Sequence, residues 1–502
     1  MSTDADDITP LDDLPLFAAP PSSAPAGRSP RTPAPTDTPV PRTIPTPART
    51  QAADVLTGAA DRDFWRTVTA LRSRVADLQA AALTFQSTLD ASSREELGRA
   101  HIVQVVRDHS DALLRNGQPP LTTELETRLV KALFDAMYRL GRLQPLVELD
   151  GVVNIEIDGH DRVLVIYADG RHEYAPPVAD SNADLIADLA FLASRDPDIE
   201  RSFTRSNPFL EMPLPGHARL AALSWVTPWP RVTIRMQHLK HVELSKLREN
   251  NTIDGVLESF LTAAVRAKKS LIISGEGQGS GKTTLLRALA AAIPTWTSVA
   301  TIETDYELYL HEEPARRNRV LPLQARVGSG EQTASGGRAG EITTMELVYR
   351  ALRHNIDRII VGEVRGPEIV AMFEAMQGGN GSMSTVHADS ARDVIERLVG
   401  LAVKDSRLSE TYAYRQIAQS IDLIVHLSVD ERPDGSRYRY VSQVIEVTPG
   451  EQHQPVAVSD LFIPGPDGRA VPASNPTFLN ALVRAGFDQS LLTYTEGTWG
   501  PR

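Results

Sequence analysis

Residues 270–286 read Ser-Leu-Ile-Ile-Ser-Gly-Glu-Gly-Gln-Gly-Ser-Gly-Lys-Thr-Thr-Leu-Leu. The apolar opening predicts a short buried strand, and the Gly-Lys-Thr that follows predicts the first turn of a helix. Between them, Gly275, Gly277, Gly279 and Gly281 let backbone N–H groups turn inward around an anion, where side chains would collide. The amino terminus of the helix adds unpaired donors and the positive end of a dipole. Lys282 is suited to the β- and γ-phosphates of a nucleotide and the Thr283 hydroxyl to Mg²⁺. Ser280 and Thr284 complete the candidate cradle. One position departs from the strict spacing: Glu276 stands where a glycine is required. Either the loop bulges by one residue after Gly275, or Gly277 makes the first turn.

Working outward, the texture after about residue 250 is one of short apolar strands alternating with helices, the pattern of a parallel α/β sheet. Ligands of such sheets lie beyond the carboxyl ends of the strands, which are expected near Ser274, Ile302, Gly362 and His387. Arg358-Ile-Ile-Val-Gly-Glu363 is an apolar strand that ends in a carboxylate able to act on Mg²⁺ or on an attacking water. Thr301-Ile-Glu-Thr-Asp-Tyr-Glu-Leu308 delivers Glu303 and Glu307 in the same way, and Gly381-Ser-Met-Ser-Thr-Val-His-Ala-Asp-Ser390 delivers His387. Ser390 and Asp393 have the spacing of a capping box, a structural role. Each strand end is weak alone, since many strands end in Glu. Three of them behind a phosphate loop that itself ends a strand, four strand ends together, are specific.

On these residues the chain resembles a known family. Gly-Glu-Ile-Thr-Thr-Met-Glu-Leu-Val-Tyr-Arg-Ala-Leu-Arg (340–353), Asp-Arg-Ile-Ile-Val-Gly-Glu-Val-Arg-Gly (357–366) and Gly-Gly-Asn-Gly-Ser-Met-Ser-Thr-Val-His-Ala-Asp-Ser (378–390) are similar to the type II/IV secretion-system ATPases, TadA/CpaF branch. Leu140-Gly-Arg-Leu-Gln-Pro-Leu146 and Leu214-Pro-Gly-His-Ala-Arg-Leu220 resemble that family's amino-terminal domain, without the Asp of the second segment. The likeness runs over about 120–430. It implies a RecA-like P-loop ATPase domain with a parallel-sheet core, with ATP and Mg²⁺ as its ligands. Glu303 and Glu307 then match an acidic box, Glu363 the Walker B glutamate and His387 a histidine box that senses the γ-phosphate. Arg219 and Arg235 match arginines that reach the nucleotide phosphates. The resemblance also implies a homo-hexameric ring working at the cytoplasmic face of a membrane complex, with inner-membrane secretion or pilus platform proteins as partners.

The remainder of the chain frames this reading. Residues 1–55 are rich in Pro, Ala, Thr and Ser and cannot bury enough apolar surface to order themselves, so a disordered tail is expected there, as a tether or a solvating segment. Helical spacing of Val68, Leu71, Val75, Leu78 and Leu83 marks a helical segment over 60–118. A helix opened by Thr122 and closed near Gly141, then alternating runs at 152–157 and 162–167, predict a smaller α+β domain over 120–237. The ATPase domain is assigned to 245–450. A carboxy-terminal extension follows over 451–502, with loop at 450–475 and a last helix in 476–490. The formal charge of −12 argues against a broad nucleic-acid-binding surface; the basic runs Arg266, Lys268, Lys269 and Arg316, Arg317, Arg319 leave two local contact sites open, although most such runs are only solvated faces. With no cysteine, disulfides and thiolate chemistry are excluded. No apolar run spans a bilayer, and the start (Asp4, Asp6, Asp7) is unlike a secretory signal, so a cytoplasmic chain that meets a membrane only through partners is expected. The function expected is ATP hydrolysis that powers a pilus, secretion or conjugal-transfer machine. The alternative is a nucleotide-binding scaffold of such a machine with little turnover. A GTPase or kinase is disfavoured, because no Asn-Lys-x-Asp guanine-reading motif is present.

Overall fold

The computed structural model describes residues 62–501 except 86–89, 196–201, 238–240, 278, 327–339, 378, 433–436 and 452–453. The expected tail over 1–55 therefore lies outside the described residues.

The first sheet has six antiparallel strands in the order β3-β2-β1-β6-β5-β4. They are β1 (Val152–Asp158), β2 (Arg162–Tyr167), β3 (His172–Ala175), β4 (Phe209–Leu214), β5 (Ala218–Leu223) and β6 (Arg231–Arg235). Alternation decides its faces: Ile155 and Ile157 of β1 and Val163 and Val165 of β2 are buried, and their neighbours in sequence are not. Their core is shared with Val68, Leu71 and Val75 of the helix Arg62–Phe85, Ile102 of Ala91–Arg115, and Leu129 and Leu133 of Thr123–Tyr138. Thr122 opens the last of these, accepting the backbone N–H of Leu125 at 3.3 Å. The apolar stripe of the first helix reaches solvent at Leu78, which is 36% exposed.

The second sheet has nine strands in the order β15-β14-β13-β12-β7-β11-β10-β8-β9. These are β7 (Leu271–Gly275), β8 (Val299–Glu303), β9 (Val320–Gln324), β10 (Arg358–Glu363), β11 (Met383–His387), β12 (Leu423–Glu431), β13 (Arg437–Glu451), β14 (Gln454–Pro464) and β15 (Ala470–Pro472). From β12 to β9 all neighbours are parallel, and β13 to β15 continue antiparallel. Strand β11 separates the strand that feeds the glycine loop from β10, the RecA-like order. Helices cover both faces. Leu271 and Ile273 of β7 pack under the helices Gly255–Arg266 and Lys282–Ala291, while Ile272 between them packs under Glu368–Met376, Asp393–Ser406 and Glu410–Ser420. That two-sided burial is why the strands read as continuous apolar runs.

Two expectations are corrected. Residues 450–475, read as loop, carry β14 and β15. The prolines at 455 and 464 sit at the ends of β14, where a missing N–H costs nothing, and a bulge at Leu461 of β14, opposite Val444 and Ile445 of β13, breaks the alternation. Consecutive Leu461 and Phe462 are both fully buried as a result. Nor is the basic run at 316–319 simply a solvated face. Arg316 and Arg287 both grip Glu313, at 3.1 Å (Nε to Oε2) and 2.7 Å (Nη2 to Oε1), in a site where Glu313 is 8% exposed. Arg316 Nη1 also donates to the Ala290 carbonyl at 3.1 Å, so the cluster fastens the helix behind the glycine loop to the segment after β8.

Candidate functional site

The glycine loop closes on its own lysine. Gly277, Gly279 and Gly281 have φ of 58°, 80° and 94°, a region that other residues enter only under strain. Of the two arrangements left open by Glu276, Gly277 takes the left-handed turn, and Glu276 is exposed on the loop. Gly275 is needed for space: a Cβ there would lie 2.9 Å from the Leu427 carbonyl and from Ser280 Oγ. The helix Lys282–Ala291 starts directly at the lysine, with Thr283 half-buried and Thr284 exposed in its first turn.

Lys282 Nζ donates to Gly277 O at 3.0 Å and to Ser280 Oγ at 2.9 Å, and stands 3.1 Å from Nδ1 of His387. The other imidazole nitrogen, Nε2, lies 3.0 Å from Oε1 of Glu363, whose second oxygen is held by Arg365. Since Lys282 can only donate, Nδ1 accepts and Nε2 carries the proton that faces Glu363. The parallel register brings this about: β10, β11 and β7 are adjacent, so Glu363, His387 and the loop after Gly275 emerge side by side. Burial is the main force lowering His387 from its ordinary range, with the Lys282 charge next.

Glu303 lies one strand further on, against Gly362; a Cβ at 362 would meet its Cγ at 3.0 Å. Its Oε1 accepts the N–H groups of Glu307 and Leu308 at 2.9 and 3.0 Å, while Oε2 is buried without a partner. Burial pushes this carboxyl up to about 7, against the two N–H bonds. Glu307 does not join the lysine directly. With Asp305 it grips Arg219 of β5, Nη1 to Oε1 of Glu307 at 2.7 Å. Thus Arg219 is engaged by the acidic segment rather than by the loop. The side chain of Arg235, on β6, makes no hydrogen bond or ion pair among the described residues, yet its charge reaches Lys282 and helps to depress it. Sequence reasoning missed Asp305 and Arg365, although both lie inside stretches quoted for their neighbours.

Comparison with known proteins agrees with the geometry. The model of the family described as type II/IV secretion system protein matches residues 182–461, more than half of the chain. The chain belongs to this family. Among its curated relatives, a putative conjugal transfer protein of Mycobacterium tuberculosis is 28% identical over 303 residues, 58% of this chain and 80% of that protein. The conjugal transfer protein TrbB of Rhizobium radiobacter is 26% identical over 327 residues, 65% of this chain and 91% of that one. Among solved structures, the Legionella pneumophila ATPase DotB covers 64% of this chain and 82% of its own at 18% identity, with a TM-score of 0.44.

In this member of the type II/IV secretion family the loop lysine carries a pH-dependent charge. Burial pushes the Lys282 ammonium down to about 8, against the pull of Glu363 and with the push of Arg365 and Arg235. Below that value the group is charged and suited to a polyphosphate; above it the group is neutral. Affinity for ATP is therefore expected to be full near neutral pH and to fall by up to about a decade per pH unit above about pH 8. Lys282→Arg, whose guanidinium stays charged, should show no such fall. Binding by the parent that stays flat to about pH 9.5 would contradict this.

Proposed function

We propose that this chain hydrolyses ATP with Mg²⁺ and, as a ring of copies, turns hydrolysis into movement that drives a secretion, pilus or conjugal-transfer machine. The observation that carries this reading is the contact chain Lys282–His387–Glu363 at the carboxyl ends of adjacent parallel strands. In it, Lys282 exchanges its loop carbonyls for the β- and γ-phosphates, and the N–H groups of 279–284 bind the remaining oxygens. Glu363 orients the attacking water and takes its proton. His387, tied to both partners, changes contacts when the γ-phosphate arrives and leaves. Glu303 holds the turn that carries Glu307, and Arg219 and Arg235 carry the amino-terminal sheet onto the phosphates once Arg219 leaves its carboxylates.

The residues fit Mg²⁺. Oε2 of Glu303 is buried and accepts no hydrogen bond, Oε1 of Glu363 is buried 3.0 Å from the His387 ring, and Thr283 offers a hydroxyl beside the loop. No cluster of three acidic or His ligands occurs among the described residues, which suits a cation that keeps most of its water and leans on substrate phosphates. Thr283 and Glu363 would hold it, and it would supply charge neutralisation on the phosphates.

Among the described residues no helix is long and apolar enough to cross a membrane. On the family likeness we assign membrane contact to platform partners and the chain itself to the cytoplasmic side. The scaffold alternative rests on Glu276 in the loop. Light scattering tests the motor reading. A ring is expected with Mg²⁺ and a non-hydrolysable ATP analogue, and a strict monomer at micromolar concentration under every nucleotide condition would overturn it.

A further inference from the structure

A second group grips the phosphate loop, from the side opposite His387 and Glu363. Strand β12 lies next to β7, and β13 folds back along β12, so the start of β13 stands beside the loop. Tyr438 and Tyr440 stack with ring centroids 5.4 Å apart, and Tyr438 Oη donates to Asn251 O at 2.7 Å. Strand alternation turns Arg437 and Arg439 to the other face. There Arg439 Nε donates to the Gly279 carbonyl at 2.6 Å, and its Cδ would lie 3.5 Å from a Cβ at Gly281. The inward turn of the loop N–H groups leaves such carbonyls on its outer side.

The two arginines differ in charge balance. Arg437 is neutralised by Glu431, with Nη2 at 2.8 Å from Oε1. Arg439 is half-buried and forms no ion pair among the described residues, and the charge that acts on it is Arg437, of the same sign. A desolvated guanidinium without a carboxylate is costly unless an anion comes to it. The anion-binding element within its reach is the loop it holds.

We infer that Arg439 is a positioning residue of the nucleotide site, holding the phosphate loop through Gly279 and balancing the charge of the phosphates bound there. This rests on the reading of residues 275–284 as a phosphate loop. The planar Nε–H and the fixed charge both matter, so lysine is only a partial substitute.

The test is equilibrium binding of ATP, ADP and adenosine to the full chain and to Arg439→Ala, Arg439→Lys and Lys282→Ala. Circular dichroism and melting of the nucleotide-free proteins serve as the folding control. Loss of a charged hydrogen bond predicts that Arg439→Ala binds ATP and ADP about 10- to 100-fold more weakly, with adenosine unaffected. Arg439→Lys should recover part of the loss, and in turnover Arg439→Ala should raise KM more than it lowers kcat. Should Arg439→Ala fail to fold, Arg439→Gln carries the same expectation. Parental affinity in Arg439→Ala, with Lys282→Ala impaired, overturns the inference while sparing the phosphate-loop reading. Parental affinity in both variants overturns the two together.

Discussion

Glu313→Ala is expected to destabilise the chain by about 3–5 kcal/mol, the cost of leaving buried charges without their partner. Two guanidinium groups depend on this carboxylate: Arg287, on the helix behind the phosphate loop, and Arg316, after β8. Both are almost fully buried, so water cannot replace Glu313. An exposed pair would contribute only about 0–1 kcal/mol, and the size of the loss therefore distinguishes a buried anchor from surface decoration. The denaturation midpoint and slope of the parent and Glu313→Ala measure it. A change below about 1 kcal/mol would show that the cluster is solvated in practice.

The phosphate loop, the strand ends and the identity of Glu363, Glu303 and His387 were legible because each lies in a run of consecutive residues with one geometric outcome. An apolar strand must end where its polar residue begins, and parallel neighbours then align those ends. Arg219 was legible only as a family correspondence; its grip on Asp305 and Glu307 joins residues 86 and 88 positions apart, which no local pattern carries. Strand β14 was missed because alternation is the signal for strands, and a bulge removes it. Arg439 was missed for a different reason. Its partner is a backbone carbonyl 160 residues away, so nothing in its own surroundings marks it.

The second large effect belongs to Glu363. Glu363→Gln keeps the shape of the strand end and one of its two acceptor oxygens, and removes the charge that would orient water and accept its proton. ATP affinity depends mainly on the loop and should stay near the parental value. The chemical step loses a positioned acid–base group, typically about 10²–10⁴ in rate. The neighbouring contacts sharpen the comparison: His387 loses its anionic partner 3.0 Å away, and Arg365 loses its ion pair. A merely structural carboxylate would change the melting temperature instead and leave turnover in proportion to folded protein.

Phosphate release at saturating ATP and Mg²⁺, measured side by side for the parent, Glu363→Gln and Lys282→Ala, decides between a motor and a scaffold. The account predicts clear parental turnover, a loss of about 10²–10⁴ in Glu363→Gln with ATP still bound, and a loss of binding itself in Lys282→Ala. A parent that binds ATP yet releases phosphate no faster than Lys282→Ala would contradict it and leave a nucleotide-binding scaffold.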